Sequence, residues 1–142
     1  MQVKKTVPIV TCFLFQAGKV LLLRRSPERK FYPGKWGAVS GYLEKGKSPL
    51  KQAISEIREE VGIDESDLEL VNYNDPIDVY DAQKTICWKV YPFAFRLKNH
   101  MRVRLDWENE EFKWIDPKDF SAFDTVPGLD EVFAAVFVRL TE

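Results

Sequence analysis

Glu56, Glu59 and Glu60 lie close together near the end of a segment, Gly41 to Ile63, that reads GYLEKGKSPLKQAISEIREEVGI. Ser48 followed by Pro49 predicts a helix start, with the serine as N-cap and the proline at the first helical position. Gly62 predicts the stop. On such a helix the three glutamates stand at i, i+3 and i+4 and project from neighbouring points. Like charges this close cost a bare helix roughly 0.2–0.5 kcal/mol per i,i+4 pair, and the C-terminal end of the macrodipole disfavours acids as well. Misplaced on both counts, the trio calls for a bound cation. Carboxylates are hard donors that select Mg²⁺ or Mn²⁺, and magnesium keeps waters and takes substrate phosphates as its remaining ligands. The plainer reading is a solvated acidic stripe, the usual fate of charge runs on helices.

The segment resembles the Nudix box, G-x5-E-x7-R-E-U-x-E-E-x-G-U, where U is a bulky aliphatic residue. Gly41 takes the first glycine, Glu56 and Ile57 the E-U pair, Glu59 and Glu60 the next two acids, and Gly62 and Ile63 the closing pair. Two positions depart: Lys47 stands where the family has glutamate and Ser55 where it has arginine. LLLRRS ahead of the box, KWGAVSGYLE leading into it and the WID segment at Trp114 are similar too, so the resemblance covers nearly the whole chain.

That resemblance implies an α/β fold, a Nudix-type α/β/α sandwich with a mixed sheet between helices, and a Mg²⁺-dependent enzyme, with Mn²⁺ as a substitute. It implies hydrolysis of a nucleoside diphosphate linked to another group, by water attack at phosphorus. Carried over, Glu56, Glu59 and Glu60 are the metal-binding and catalytic carboxylates, with Glu56 also within reach to act as base. A backbone carbonyl near Ser40 or Gly41 completes the shell. Nudix domains often add a late acidic residue, which points to Glu110 or Glu111; on a strand the two face opposite ways, so one alone can help, and Glu111 is the metal-site candidate. In the family the box arginine is taken to orient the neighbouring glutamate, and serine supplies neither its planar fork nor its charge. Arg58 offers a partial replacement or a surface ion pair, and Glu44 could reach back towards the cation. The two departures open an alternative, a Nudix-like module that holds a nucleotide for sensing with little or no turnover.

The 142 residues, 45% of them hydrophobic, fit a single domain over 1–142 with a full core. A net charge of −1 argues against a nucleic-acid polymer as partner. Cys12 and Cys87 read as buried thiols of a reducing compartment rather than a disulfide scaffold. The apolar run Ile9 to Phe15 is too short for a bilayer and lacks a signal-peptide cleavage pattern, so a cytoplasmic protein without a membrane partner is expected. Val7 to Phe15 and Lys19 to Arg25 read as a hairpin, Ser26 to Lys35 as a loop, and Trp36 to Leu43 as a short strand. Leu68 to Tyr73, Ile77 to Tyr80, Thr85 to Leu97 and Glu111 to Ile115 are further strands, and Leu129 to Leu140 a second helix.

For a small nucleotide-like substrate, Arg24 and Arg25, with Arg29, Lys30 and Lys35, offer a phosphate-attracting rim, and Lys47 a grip on phosphate or a solvated lysine. Phe31 and Tyr32, in a Pro/Gly loop, read as a lid that stacks on a base. Trp36 reads as core, and Trp88, Trp107 and Trp114 as strand residues in the core or at its margin. His100 has no second histidine with which to hold zinc. The last helix, with Val132, Phe133, Val136, Phe137 and Leu140, offers more apolar surface than one core stripe needs, which suggests a homodimer contact unless packing absorbs it.

Overall fold

The computed structural model describes residues 3–137, in the order β1 (Lys5–Gln16), β2 (Lys19–Arg25), β3 (Trp36–Gly37), β4 (Val39–Tyr42), α1 (Pro49–Val61), β5 (Leu68–Tyr73), β6 (Ile77–Asp81), β7 (Ile86–Leu97), β8 (Asn109–Ile115) and α2 (Leu129–Val136), with short 3₁₀ turns at Glu65–Asp67 and Pro117–Ala122. The strands form one eight-stranded mixed sheet with the path β3-β2-β1-β7-β5. β1 and β7 run parallel at its centre over residues 5–15 and 86–96, and the other pairings are antiparallel.

Alternation along the long strands decides which side each residue serves. Phe13, Phe15, Val20 and Leu22 join a cluster with Leu129, Val132, Phe133 and Val136, so α2 covers that face. Cys12, Leu14, Leu21 and Leu23 join Ala53, Ile57 and Val61, so α1 covers the other. This is the expected sandwich of sheet between helices. Packing takes up Val132, Phe133 and Val136, leaving Phe137 partly exposed, whereas Leu140 lies outside the described residues. Among the described residues no helix is long and apolar enough to cross a membrane.

The run from Trp36 to Leu43 is two strands rather than one. Trp36 and Gly37 pair with β2, whereas Val39 to Tyr42 pair with β1, so the chain changes partner at Ala38. That switch carries Ser40 and Gly41 across to lie beside α1. The eighth strand begins at Asn109, two residues before the sequence reading places it, which leaves Glu108 in the preceding turn.

Candidate active site

Helix α1 starts and stops as its capping residues dictate. Ser48 Oγ accepts the Lys51 N–H at 3.2 Å, Pro49 opens the first turn, and Gly62 closes the helix at φ 72°, donating its N–H to the Arg58 carbonyl. At that φ a side chain would be strained, so glycine suits the position. The buried face is not purely apolar. Beside Ala53, Ile57 and Val61 runs a second buried line, Gln52, Glu56 and Glu60, at i, i+4 and i+8. Leu50, at the start of the helix, stays 38% exposed.

Glu56, Glu60 and Glu108 converge, offering carboxylate oxygens that all lie within 4.8 Å of one another. Glu60 is 1% exposed, and both its oxygens have donors: the Asn109 amide at 3.0 Å and the Ser40 backbone N–H at 3.3 Å. Glu56 is 9% exposed and accepts from the Gln52 amide at 3.0 Å. Its carboxylate fills the space a side chain at position 41 would need, since a Cβ on Gly41 would come within 2.2 Å of Glu56 Cδ and Oε1. Gly41 therefore serves the site by what it lacks. Glu108 is held from the other side by Arg29, whose Nη1 lies 3.4 Å from its carboxylate and donates to its carbonyl at 3.3 Å.

Burying acids this close together penalises their charge. Burial, reinforced by Glu59, pushes Glu56 up to about 7, and the Gln52 hydrogen bond only partly opposes it. Burial and Glu108 push Glu60 well above the carboxylate range, with Arg29 and Asn109 opposing. Burial raises Glu108 as well, against the pull of Arg29. Behind the cluster the Cys12 thiol is also pushed up, by burial first and then by Glu60 and Glu56. The common remedy for such a set is a cation.

The remaining sequence candidates divide. Glu59 is exposed at the rim of the cluster, close enough to raise Glu56 and Glu108 electrostatically. Glu111 is not brought to it: Glu110 and Glu111 lie 3.1 and 3.3 Å from Arg24 Nε, in an ion-paired group on β8 and β2. Arg24 goes there rather than to the substrate side, while Arg25 turns into the pocket. Lys47 does not line the pocket either, because Nζ donates to Glu44 at 3.2 Å and to Ser55 Oγ at 3.1 Å, so the two departing box residues bond to each other. That contact also keeps Glu44 from the cluster. Arg58 pairs with Asp64 at 2.6 Å and does not stand in for the box arginine. Glu108, Asn109, Gln52 and Arg29 are the residues that sequence reasoning passed over as parts of the carboxylate site.

Beside the carboxylates opens a cavity of about 290 Å³ that reaches Ser40, Gly41 and Glu108 at one end. Its walls include Phe31 and Trp88, packed edge to face with centroids 4.9 Å apart. Tyr32, at φ 52°, is pinned by donating to Asp81 at 2.6 Å and accepting from Trp88 Nε1 at 2.9 Å. Burial and the Asp81 bond push its phenol up to about 12. Phe31 and Tyr32 thus form a wall tied to the core. Trp107 sits in a turn rather than a strand, at the pocket mouth and 66% exposed. Arg25 and Arg29 line the same space. Burial, then Arg29, lowers Arg25 to about 10, so two crowded guanidiniums leave positive potential for an anion.

A NUDIX domain model matches residues 5–136. The chain belongs to the Nudix family. Its enzyme class is therefore that of Nudix pyrophosphohydrolases acting on acid anhydrides. An RNA pyrophosphohydrolase of Nitratiruptor sp. is 29% identical over 108 residues, which span 68% of each chain. An octanoyltransferase of Myxococcus xanthus is 34% identical over 98 residues, 69% of this chain but only 26% of that longer protein. The crystal structure of a C. elegans Ap4A hydrolase binary complex superposes with a TM-score of 0.74 at 22% identity, over 91% of this Nudix chain and 93% of the other, which establishes the fold.

Proposed function

We propose that this chain is a Mg²⁺-dependent hydrolase that cleaves the pyrophosphate bond of a nucleoside diphosphate linked to another group, through water attack at phosphorus. The observation that carries the reading is the convergence of Glu56, Glu60 and Glu108 beside an aromatic pocket that Glu108, Ser40 and Gly41 help to line. The donor set fits a divalent cation: the donors are hard oxygens, crowded together, with Glu56 and Glu60 buried against neutral donors, and Gly41 leaves the room Glu56 needs. Glu56, Glu60 and Glu108 would hold the ion, with Glu59 at the rim for a second cation or its water. A cation bound there supplies Lewis acidity and neutralises charge on the phosphate oxygens.

The protein groups do the rest. Arg25 and Arg29 face the pocket and attract phosphate, relieving their mutual repulsion as it binds. Phe31 and Trp88 present apolar faces on which a base or comparable ring can pack. Glu56 Oε1, the oxygen not bonded to Gln52, is the acceptor for a water proton. Where these groups are withdrawn from water, as Glu56 and Glu60 are, electrostatic effects strengthen.

The Lys47–Ser55 contact favours a second reading, a module that binds nucleotide with little turnover, because it occupies both positions where the box departs. Incubation with Mg²⁺ and a panel of nucleoside diphosphate derivatives in ¹⁸O-water, read by mass spectrometry, separates the two. The enzyme reading expects ¹⁸O on a phosphate product, lost in EDTA and in Glu60→Gln. Label confined to the nucleoside or sugar fragment rules out attack at phosphorus. Tight binding with no product across the panel leaves the binding module.

A further inference from the structure

The box of this chain lacks its arginine, yet Glu56 is not left loose. Gln52 sits one turn earlier on α1, 2% exposed, and its amide is committed at both ends. Oε1 accepts the Glu44 backbone N–H at 3.0 Å, and Nε2 donates to Glu56 Oε2 at 3.0 Å. A backbone N–H can only donate, so the Glu44 contact fixes which end of the amide faces Glu56. The donor end must point at the carboxylate. Opposite it the carboxylate lies against the backbone of Gly41, in the space a side chain there would fill.

The neighbouring polar residues on the helix are engaged elsewhere. Ser55 Oγ accepts from Lys47, and Arg58 pairs with Asp64. We propose that Gln52 is the positioning residue for Glu56 in this chain, taking over from inside the helix the orienting role that arginine has in the box. The proposal rests on Glu56 serving a divalent cation, as in the function above. A neutral amide differs from an arginine in one respect that matters here. It fixes the carboxylate without cancelling its charge, and so leaves the full charge to the cation.

The test measures Mn²⁺ affinity by counting free ion with EPR, in the absence of nucleotide, alongside thermal unfolding in chelator. Gln52→Met keeps the buried volume and removes the donor; Gln52→Asn keeps the amide but withdraws it from Glu56. Both should weaken Mn²⁺ binding on the order of ten-fold, the usual cost of losing a group that orients a metal ligand, while unfolding stays cooperative. If the methionine variant does not fold, the asparagine variant carries the same reading. Adding Ser55→Arg to either should recover affinity, because it restores a donor for Glu56 but not the Glu44 contact, which a mere loop anchor would need. With substrate, kcat should fall and KM hold. Folded variants that bind Mn²⁺ as tightly as the wild type, or that gain nothing from Ser55→Arg, overturn the role of Gln52 alone. A wild type that binds no Mn²⁺ overturns the metal-dependent function, and this proposal with it.

Discussion

Two acid-rich stretches meet near the middle of this molecule, the end of α1 and the approach to β8, and they settle their charges in opposite ways. On α1 the buried carboxylates are met by neutral donors: the Gln52 amide on Glu56, and the Asn109 amide and Ser40 N–H on Glu60. On β8, Glu110 and Glu111 are met by a cation, Arg24, on the half-exposed face of the sheet. Neutral donors orient a carboxylate and leave its charge in place. An arginine neutralises it. The first arrangement is therefore primed for an added cation and the second is complete without one. Glu108 stands between the two regimes, paired with Arg29 yet turned into the cluster.

The largest effect should come from exchanging acids that neighbour each other in sequence. Glu108→Gln removes a candidate ligand, and cation stabilisation of a phosphoryl transition state is worth several kcal/mol, so kcat should fall on the order of 100-fold. Glu111→Gln should leave kcat unchanged. In chelator the Glu108→Gln protein should unfold close to wild type, since relief of the repulsion from Glu56 and Glu60 offsets the loss of the half-buried Arg29 ion pair. Steady-state kinetics and calorimetry check both halves; equal rate losses in the two variants would erase the distinction between the regions.

Why one of these acids was legible in the chain and the other was not follows from local geometry. Along a helix the period fixes direction, so Glu56 and Glu60 are readable as neighbours from spacing alone, and their caps Ser48, Pro49 and Gly62 are equally plain. Along β8 the rule of alternation holds only inside the strand. Glu108 precedes it in a turn, among Asp106, Glu110 and Glu111, and nothing in the order of those acids says which one turns inward. Gln52 was invisible for another reason: a glutamine at a helix position that spacing marks as polar reads as solvated until the strand carrying Gly41 is laid against it. The sheet was legible where runs were long and alternating. It was misread at Ala38, because a change of hydrogen-bonding partner leaves no mark in hydrophobicity.

A smaller effect concerns pH. The folded-state values of Glu56, Glu60 and Glu108 lie above those of an unfolded chain, Glu56 at about 7, so the metal-free native state binds more protons than the unfolded state. Stability from these groups is then fully present below the ordinary carboxylate range and is lost as pH rises through about 7. In EDTA the midpoint of thermal unfolding should fall between pH 5 and pH 8, and Mg²⁺ or Mn²⁺ should restore most of the loss at the upper end by binding the native state. A midpoint that climbs over that interval would mean the three acids are already balanced by protein groups, as those on β8 are.

The smallest effect is reserved for the ion pairs of β8. Arg24 and its partners are each about 35–42% exposed, so water competes for both charges and the pairs should contribute no more than about 1 kcal/mol. Arg24→Ala should therefore shift chemical denaturation slightly, and less still at high salt, with kcat and KM unmoved. If instead the substitution raises KM for a nucleotide, Arg24 reaches the substrate after all. The ion-paired acids of β8 would then border the substrate as well, and the contrast between the two regions would be one of degree.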